Sequence, residues 1–214
     1  MNTEIVGAIA IALQKGDPKM VAGLTRKAID EGLDVRTILD QGLIGGMSVV
    51  GIRFKQHEIF LPEVLMAAKA MYAGMDLLKP LLIRDGIPVM GKVVLGTVQG
   101  DLHDIGKNLV AIMLRGAGFE VIDLGNDVTP HFFIDAAIKE HADVIGLSAL
   151  LTTTMPVMKK VVDIARERKI KEKVRIIVGG APLSAEYAKE IGADAYCYDA
   201  VNAADYVKQC VGKA

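Results

Sequence analysis

The chain has 214 residues, enough for one large domain or two small ones, and either can bury a real core. Its composition, 51% hydrophobic and 24% charged, is that of a globular protein and not of a disordered one. The formal net charge of −1 shows no basic excess, so neither nucleic acid nor an anionic membrane is expected as a partner.

The opening segment, MNTEIVGAIAIALQKGD, contains a short apolar run without a basic n-region. Gln14 and Lys15 end the run before it could span a bilayer, so a cytoplasmic protein without export or anchoring is expected. Periodic apolar positions then predict four helices. The first covers residues 3–14. The second begins at Asp17-Pro18, a side-chain cap followed by proline at the first helical position, and stops at Gly32. The third runs from about Val35 to Phe54, and its glycines at 42, 45, 46 and 51 permit close approach of a neighbour. The fourth starts near Leu61-Pro62 and ends about Ile83. Four helices joined by short loops predict a bundle.

Arg84-Asp85-Gly86-Ile87-Pro88 breaks the pattern and reads as a linker. Beyond it, apolar strand runs at 92–97, 120–124, 144–148, 175–178 and 195–198 alternate with helical segments near 106–116, 130–141, 155–169, 183–191 and 201–212. Five such alternations predict a parallel sheet with helices on both faces. Fully apolar strands such as KVVLGTV fit burial on both sides. The fold class expected is α/β: an N-terminal four-helix bundle plus a C-terminal, flavodoxin-like, five-stranded parallel sheet, divided as residues 1–86 and 91–214.

Ligands of open parallel sheets sit beyond the carboxyl ends of the strands. The first strand exits into Gln99-Gly100-Asp101-Leu102-His103-Asp104-Ile105-Gly106. A neutral imidazole is a common ligand for borderline metals. A carboxylate on the other ring nitrogen fixes the tautomer and raises basicity. Asp101 is placed for that role if the segment is extended, since residues two apart then face one side. The same spacing also fits a solvated loop histidine beside a helix-capping aspartate. The third strand exits into Ser148-Ala149-Leu150-Leu151-Thr152-Thr153-Thr154, whose hydroxyls can bond a ligand, the opposite loop, or the next helix as caps. The fourth exits at Gly179-Gly180, which either clears space for a flat group or forms an ordinary turn. The dinucleotide fingerprint and the P-loop are both absent from the sequence. Cys197 and Cys210 form no CxxC pair and are expected to be reduced, partly buried thiols.

Taken together, Asp101-x-His103-x-x-Gly106, then Ser148-x-Leu150, then Gly179-Gly180 resemble the cobalamin-binding module. It is found in methionine synthase, certain mutases and the corrinoid proteins of methyltransferase systems. The resemblance covers nearly the whole chain, because the helical half, with Phe60-Leu61-Pro62-Glu63 opening its last helix, is similar to the cap of methyl-transferring members. It implies a methyl carrier of the methylamine, betaine, methanol or aryl-ether type. Such a carrier takes a methyl group on cobalt(I) from a substrate-specific methyltransferase and passes it to a second methyltransferase, whose acceptor is a thiol or tetrahydrofolate. A reductive activation protein is a further implied partner.

The resemblance also implies site roles. Cobalamin or a related corrinoid would bind base-off, with His103 as the lower axial cobalt ligand. Asp101 would back the histidine, and Thr154 would stand where the family usually has serine. Gly106, Ser148, Leu150, Thr152, Gly179 and Gly180 would line the slot for the cofactor's tail, with Tyr198 over its far rim. Phe60, Met66, Met71 and Met75 are candidates for the upper face, although such spacing also fits an ordinary core, and Gly86 is the candidate hinge. His57 and His131 are expected to be solvated or capping. A cobalamin-dependent sensor is the alternative function, with a mutase subunit and a metal-free flavodoxin-like protein behind it.

Overall fold

A computed structural model describes residues 2–211. The last residue of the expected helix 201–212 and the outer ends of the ranges 1–86 and 91–214 lie outside the described residues. The chain divides into two compact units near Pro88.

The first unit is helical: α1 (Asn2–Gln14), α2 (Pro18–Asp30), α3 (Val35–Thr37), a π-helical segment (Ile38–Ile44), α4 (Gly45–Lys55) and α5 (Leu61–Arg84). Asp17 caps α2 as its spacing from Pro18 predicts, accepting the Met20 N–H at 2.9 Å. Ile9, Leu13, Ile38, Leu43, Met71 and Leu78 are fully buried and form the centre of the bundle. Each such side chain contributes roughly 1.5–3 kcal/mol through burial. The expected third helix is continuous from 35 to 55, but its middle seven residues take the wider π turn. A methyl at Gly42 would lie 3.2 Å from Ile9 Cγ2, and one at Gly46 would lie 3.0 Å from Ala10 Cα. These glycines do permit close approach of α1. Gly86, at φ 63°, closes α5 in a Schellman arrangement, with Gly86 N–H on Ile83 O and Ile87 N–H on Leu82 O.

The second unit alternates β1 (Lys92–Thr97), α6 (Ile105–Gly116), β2 (Glu120–Asp123), α7 (Pro130–Glu140), β3 (Val144–Ser148), α8 (Met155–Glu167), β4 (Arg175–Gly179), α9 (Ala185–Ile191), β5 (Ala195–Cys197) and α10 (Ala200–Val211). All pairings are parallel, in the order β2-β1-β3-β4-β5. Val93 and Val94, adjacent residues pointing to opposite faces of β1, are both fully buried, so helices cover the sheet on both sides. Strand order reverses between β1 and β3, and Thr97 pairs with Ser148 where both strands end. That pairing marks the switch point at which a ligand of this fold is expected.

Candidate functional site

The loop leaving β1 opens with a tight turn. Asp101 N–H donates to Val98 O at 3.1 Å, and Gly100 sits at φ 86°, the positive value required at the third position of a type II turn. The loop is then pinned from several sides. Thr97, fully buried, donates its hydroxyl to His103 O at 2.9 Å. The loop after β2 holds it as well. Asp127 accepts the Gly100 N–H on its carboxylate at 2.7 Å and donates its own N–H to Asp101 O at 3.1 Å.

Within this turn Asp101 is completely buried. Its Oδ1 receives the His103 ring at Nδ1 over 2.7 Å and the His103 backbone N–H over 3.1 Å. Its Oδ2 receives the N–H groups of Leu150 at 2.7 Å and Leu151 at 3.2 Å, and the Thr154 hydroxyl at 2.9 Å. Burial alone raises the pKa of this carboxyl. The donors from Leu150, His103 and Thr154 outweigh it and hold the group well below the usual carboxylate range. An ionised carboxylate only accepts, so His103 must carry its proton on Nδ1. In the neutral imidazole the lone pair is then on Nε2, on a side chain that is 52% exposed.

Asp101 and His103 meet as residues two apart, with both the ring and the backbone N–H of His103 on Asp101 Oδ1. Asp101 does not cap α6, so the helix-capping alternative does not apply. Thr154 likewise makes no cap hydrogen bond to α8. Its single proton is shared between Asp101 Oδ2 and Leu151 O, 2.8 Å away. The methyl that distinguishes it from serine lies beside Gly100, where an added Cβ would be 3.4 Å from Thr154 Cγ2.

The remaining predicted residues are divided between the two units. Gly106 opens α6 with nothing within 4 Å of where a Cβ would stand. Leu150, Thr152 and Tyr198 are exposed at the strand exits, and Ser148 is half-buried. A Cβ on Gly180, at φ 139°, would collide with the Ala149 carbonyl, and one on Gly179 would lie 3.2 Å from Cys197 O. Backbone packing therefore demands the glycine at 180 and leaves a side chain at 179 only a tight fit, whatever lies above them. Phe60 is 64% exposed at the start of α5, where its N–H bonds the Glu63 carboxylate at 3.0 Å. Met71 is corrected: it is buried in the bundle core and offers no surface, whereas Met66 is exposed. His57 ends α4 in the left-handed region with its N–H on Phe54 O, and His131 is exposed at the start of α7. Cys197 and Cys210 are free thiols, and burial pushes Cys197 up to about 12.

Sequence reasoning missed Lys107, Asp123 and Asp127. Lys107 is 3% exposed although lysine is rarely buried, and its partner Asp123 lies on another element. No local pattern connects them.

The B12 binding domain family matches residues 91–206, and a second B12 binding domain family matches residues 6–79. The chain is 42% identical, over all of both sequences, to a corrinoid protein of Desulfitobacterium hafniense strain Y51. This chain belongs to the B12-binding corrinoid proteins. Another member of the family, dimethylamine corrinoid protein 1 of Methanosarcina acetivorans, is 43% identical over 96% of this chain and 95% of its own. Among solved structures, the methanol:cobalamin methyltransferase complex MtaBC from Methanosarcina barkeri superposes with a TM-score of 0.89 at 32% identity. That match covers 99% of this chain and 81% of that one.

The residues fit a corrinoid on physical grounds too. Among the described residues no group of three or more His, Cys, Asp or Glu side chains could hold a metal ion. A metal at Nε2 of His103 would therefore bring most of its ligands with it, as a macrocycle does. The exposed apolar side chains Leu102, Ile105 and Leu150 beside the histidine suit its hydrocarbon rim. No helix among the described residues is long and apolar enough to cross a membrane.

Proposed function

We propose that the chain is the methyl-carrier subunit of a corrinoid methyltransferase system, binding its cofactor base-off with Nε2 of His103 as lower axial ligand. The observation that carries this reading is the buried Asp101 carboxylate, whose Oδ1 lies 2.7 Å from His103 Nδ1, an arrangement that directs the ring proton to Nδ1. When bound, the corrinoid supplies a cobalt centre able to accept a methyl group and give it up. Asp101 orients the imidazole and keeps Nε2 basic. Thr154 holds Asp101 from behind. Gly106, Ser148, Leu150, Thr152, Gly179 and Gly180 are the residues assigned to the tail, Tyr198 to the rim, and Phe60 to the upper face.

Two partners follow from a carrier role: a substrate-specific methyltransferase that loads it and a second that unloads it to a thiol or tetrahydrofolate. A reductive activation protein would restore the reduced cofactor. The relatives name dimethylamine and methanol, so methylated amines and methanol are the first donors to assay. The reading is tested by loading wild-type and His103→Ala protein with a corrinoid. Wild type should give the base-off, histidine-on absorption spectrum and His103→Ala a base-off spectrum without nitrogen ligation. Identical spectra would overturn the ligand assignment.

A further inference from the structure

Lys107 projects from the first turn of α6 into the protein, with 2% of its side chain exposed. Its Nζ lies 2.6 Å from both carboxylate oxygens of Asp123 and 2.7 Å from Asn108 Oδ1. An ammonium has three protons, and all three are used. An ion pair with one partner buried offsets much of its own attraction by desolvation, so it is better understood as fixing a geometry than as adding stability.

The geometry it fixes runs to the histidine. Asp123 Oδ1 also accepts the Gly125 N–H at 2.9 Å. Gly125 O accepts the Thr97 N–H at 2.9 Å, and the Thr97 hydroxyl donates to His103 O at 2.9 Å. The same loop reaches the histidine turn again through Asn126 Nδ2 on Leu102 O, 3.4 Å, and through Asp127 on Gly100 and Asp101. The ring closes covalently, because α6 starts at Ile105, two residues after His103.

We infer that Lys107 is a positioning residue for His103: its ammonium locks the loop after β2 against α6, and that loop sets the direction in which Nε2 is presented. The hydrogen bonds of the Lys107 ammonium go to Asp123 and Asn108, not to the imidazole or Asp101. The inference rests on the reading of His103 as the axial ligand, and the experiment separates the two.

The test compares wild type with Lys107→Met, which keeps the chain length and removes the charge. In the apoprotein, amide hydrogen exchange at His103 should quicken about tenfold or more relative to core amides such as Ile145 and Ile176. In the corrinoid-loaded protein, reduced to its paramagnetic cobalt state, the nitrogen splitting in the electron paramagnetic resonance spectrum should fall about tenfold in occupancy. A residue that only stabilises the fold would speed all three amides equally and leave the splitting intact, and that pair of results overturns the inference. If Lys107→Met does not fold, Asp123→Asn, which removes one of the two carboxylate acceptors, is read by the same signals and criteria. If wild type shows no nitrogen splitting, the ligand reading fails, and the exchange comparison alone then decides whether Lys107 positions the turn.

Discussion

Leu150 donates its backbone N–H to Asp101 Oδ2 over 2.7 Å, joining the exits of β1 and β3 where the strand order reverses. One buried carboxylate thus holds together the loop that carries His103 and the loop that carries Thr154. With five donors converging on it, the group has no room for a donor of its own.

Asp101→Asn inserts such a donor. Its amide N–H faces the histidine, because the other side holds three donors, Leu150, Leu151 and Thr154, and the His103 backbone N–H is left opposed, at about 1–3 kcal/mol. Facing the histidine, the amide donates to Nδ1 and moves the ring proton to Nε2. Nitrogen-15 spectra of the apoprotein should show the Nδ1–H tautomer in wild type and a large Nε2–H population in the variant. Retention of Nδ1–H in Asp101→Asn would contradict the account.

The low pKa of Asp101 has a signed consequence for stability. Its folded-state value lies below the unfolded value of about 3.9, so its contribution is full above the unfolded pKa. It is lost as pH falls through that value toward the folded one. The urea midpoints of wild-type and Asp101→Asn apoprotein should therefore be far apart near neutrality and converge in acid. Parallel curves down to the acid limit would mean that Asp101 is not held ionised by the fold.

Thr154 separates hydroxyl from methyl. Thr154→Ser keeps the donor and removes a methyl packed beside Gly100, a loss of about 1 kcal/mol. Thr154→Val keeps the shape and leaves both Asp101 Oδ2 and Leu151 O short of a donor, about 1–2 kcal/mol. Only the valine variant should also lose less stability than wild type between neutral and acid pH, because Asp101 has one donor fewer to its ionised form. Urea midpoints taken across that pH range distinguish them, and equal behaviour of the two variants would count against the shared proton.

Much of this was legible in the residues, for reasons the structure makes plain. Apolar strands and polar exits placed the sheet and its ligand edge, because burial on both faces of β1 forces Val93 and Val94 to be apolar together. Asp101 and His103 are close in sequence, and Thr154 follows from the resemblance. The π-helical segment at 38–44 was not legible, since one extra residue per turn over seven residues barely disturbs an apolar period. Nor was the link from Lys107 to Asp123, which depends on the parallel register that sets Asp123 beside Leu95. The glycines carried a mixed message. Gly180 reads as clearance for a ligand, yet its backbone already needs the space for Ala149.

That difference yields a paired prediction. Gly180→Ala meets both a positive φ and the Ala149 carbonyl, and should destabilise the apoprotein by roughly 1–3 kcal/mol. Gly106→Ala adds a methyl to open space in a helix, and should stabilise the apoprotein by up to about 1 kcal/mol. If Gly106 lines the tail slot, the same methyl should weaken corrinoid binding. Thermal melts and equilibrium binding check both, and unimpaired binding by Gly106→Ala would remove that glycine from the site.

The most direct measurement is a crystal structure of the protein loaded with cobalamin, with the cobalt located by anomalous scattering. The account predicts continuous density from cobalt to Nε2 of His103, with the benzimidazole tail displaced and Asp101 still on Nδ1. Cobalt bonded to its own benzimidazole, with the His103 ring turned to solvent, would contradict it.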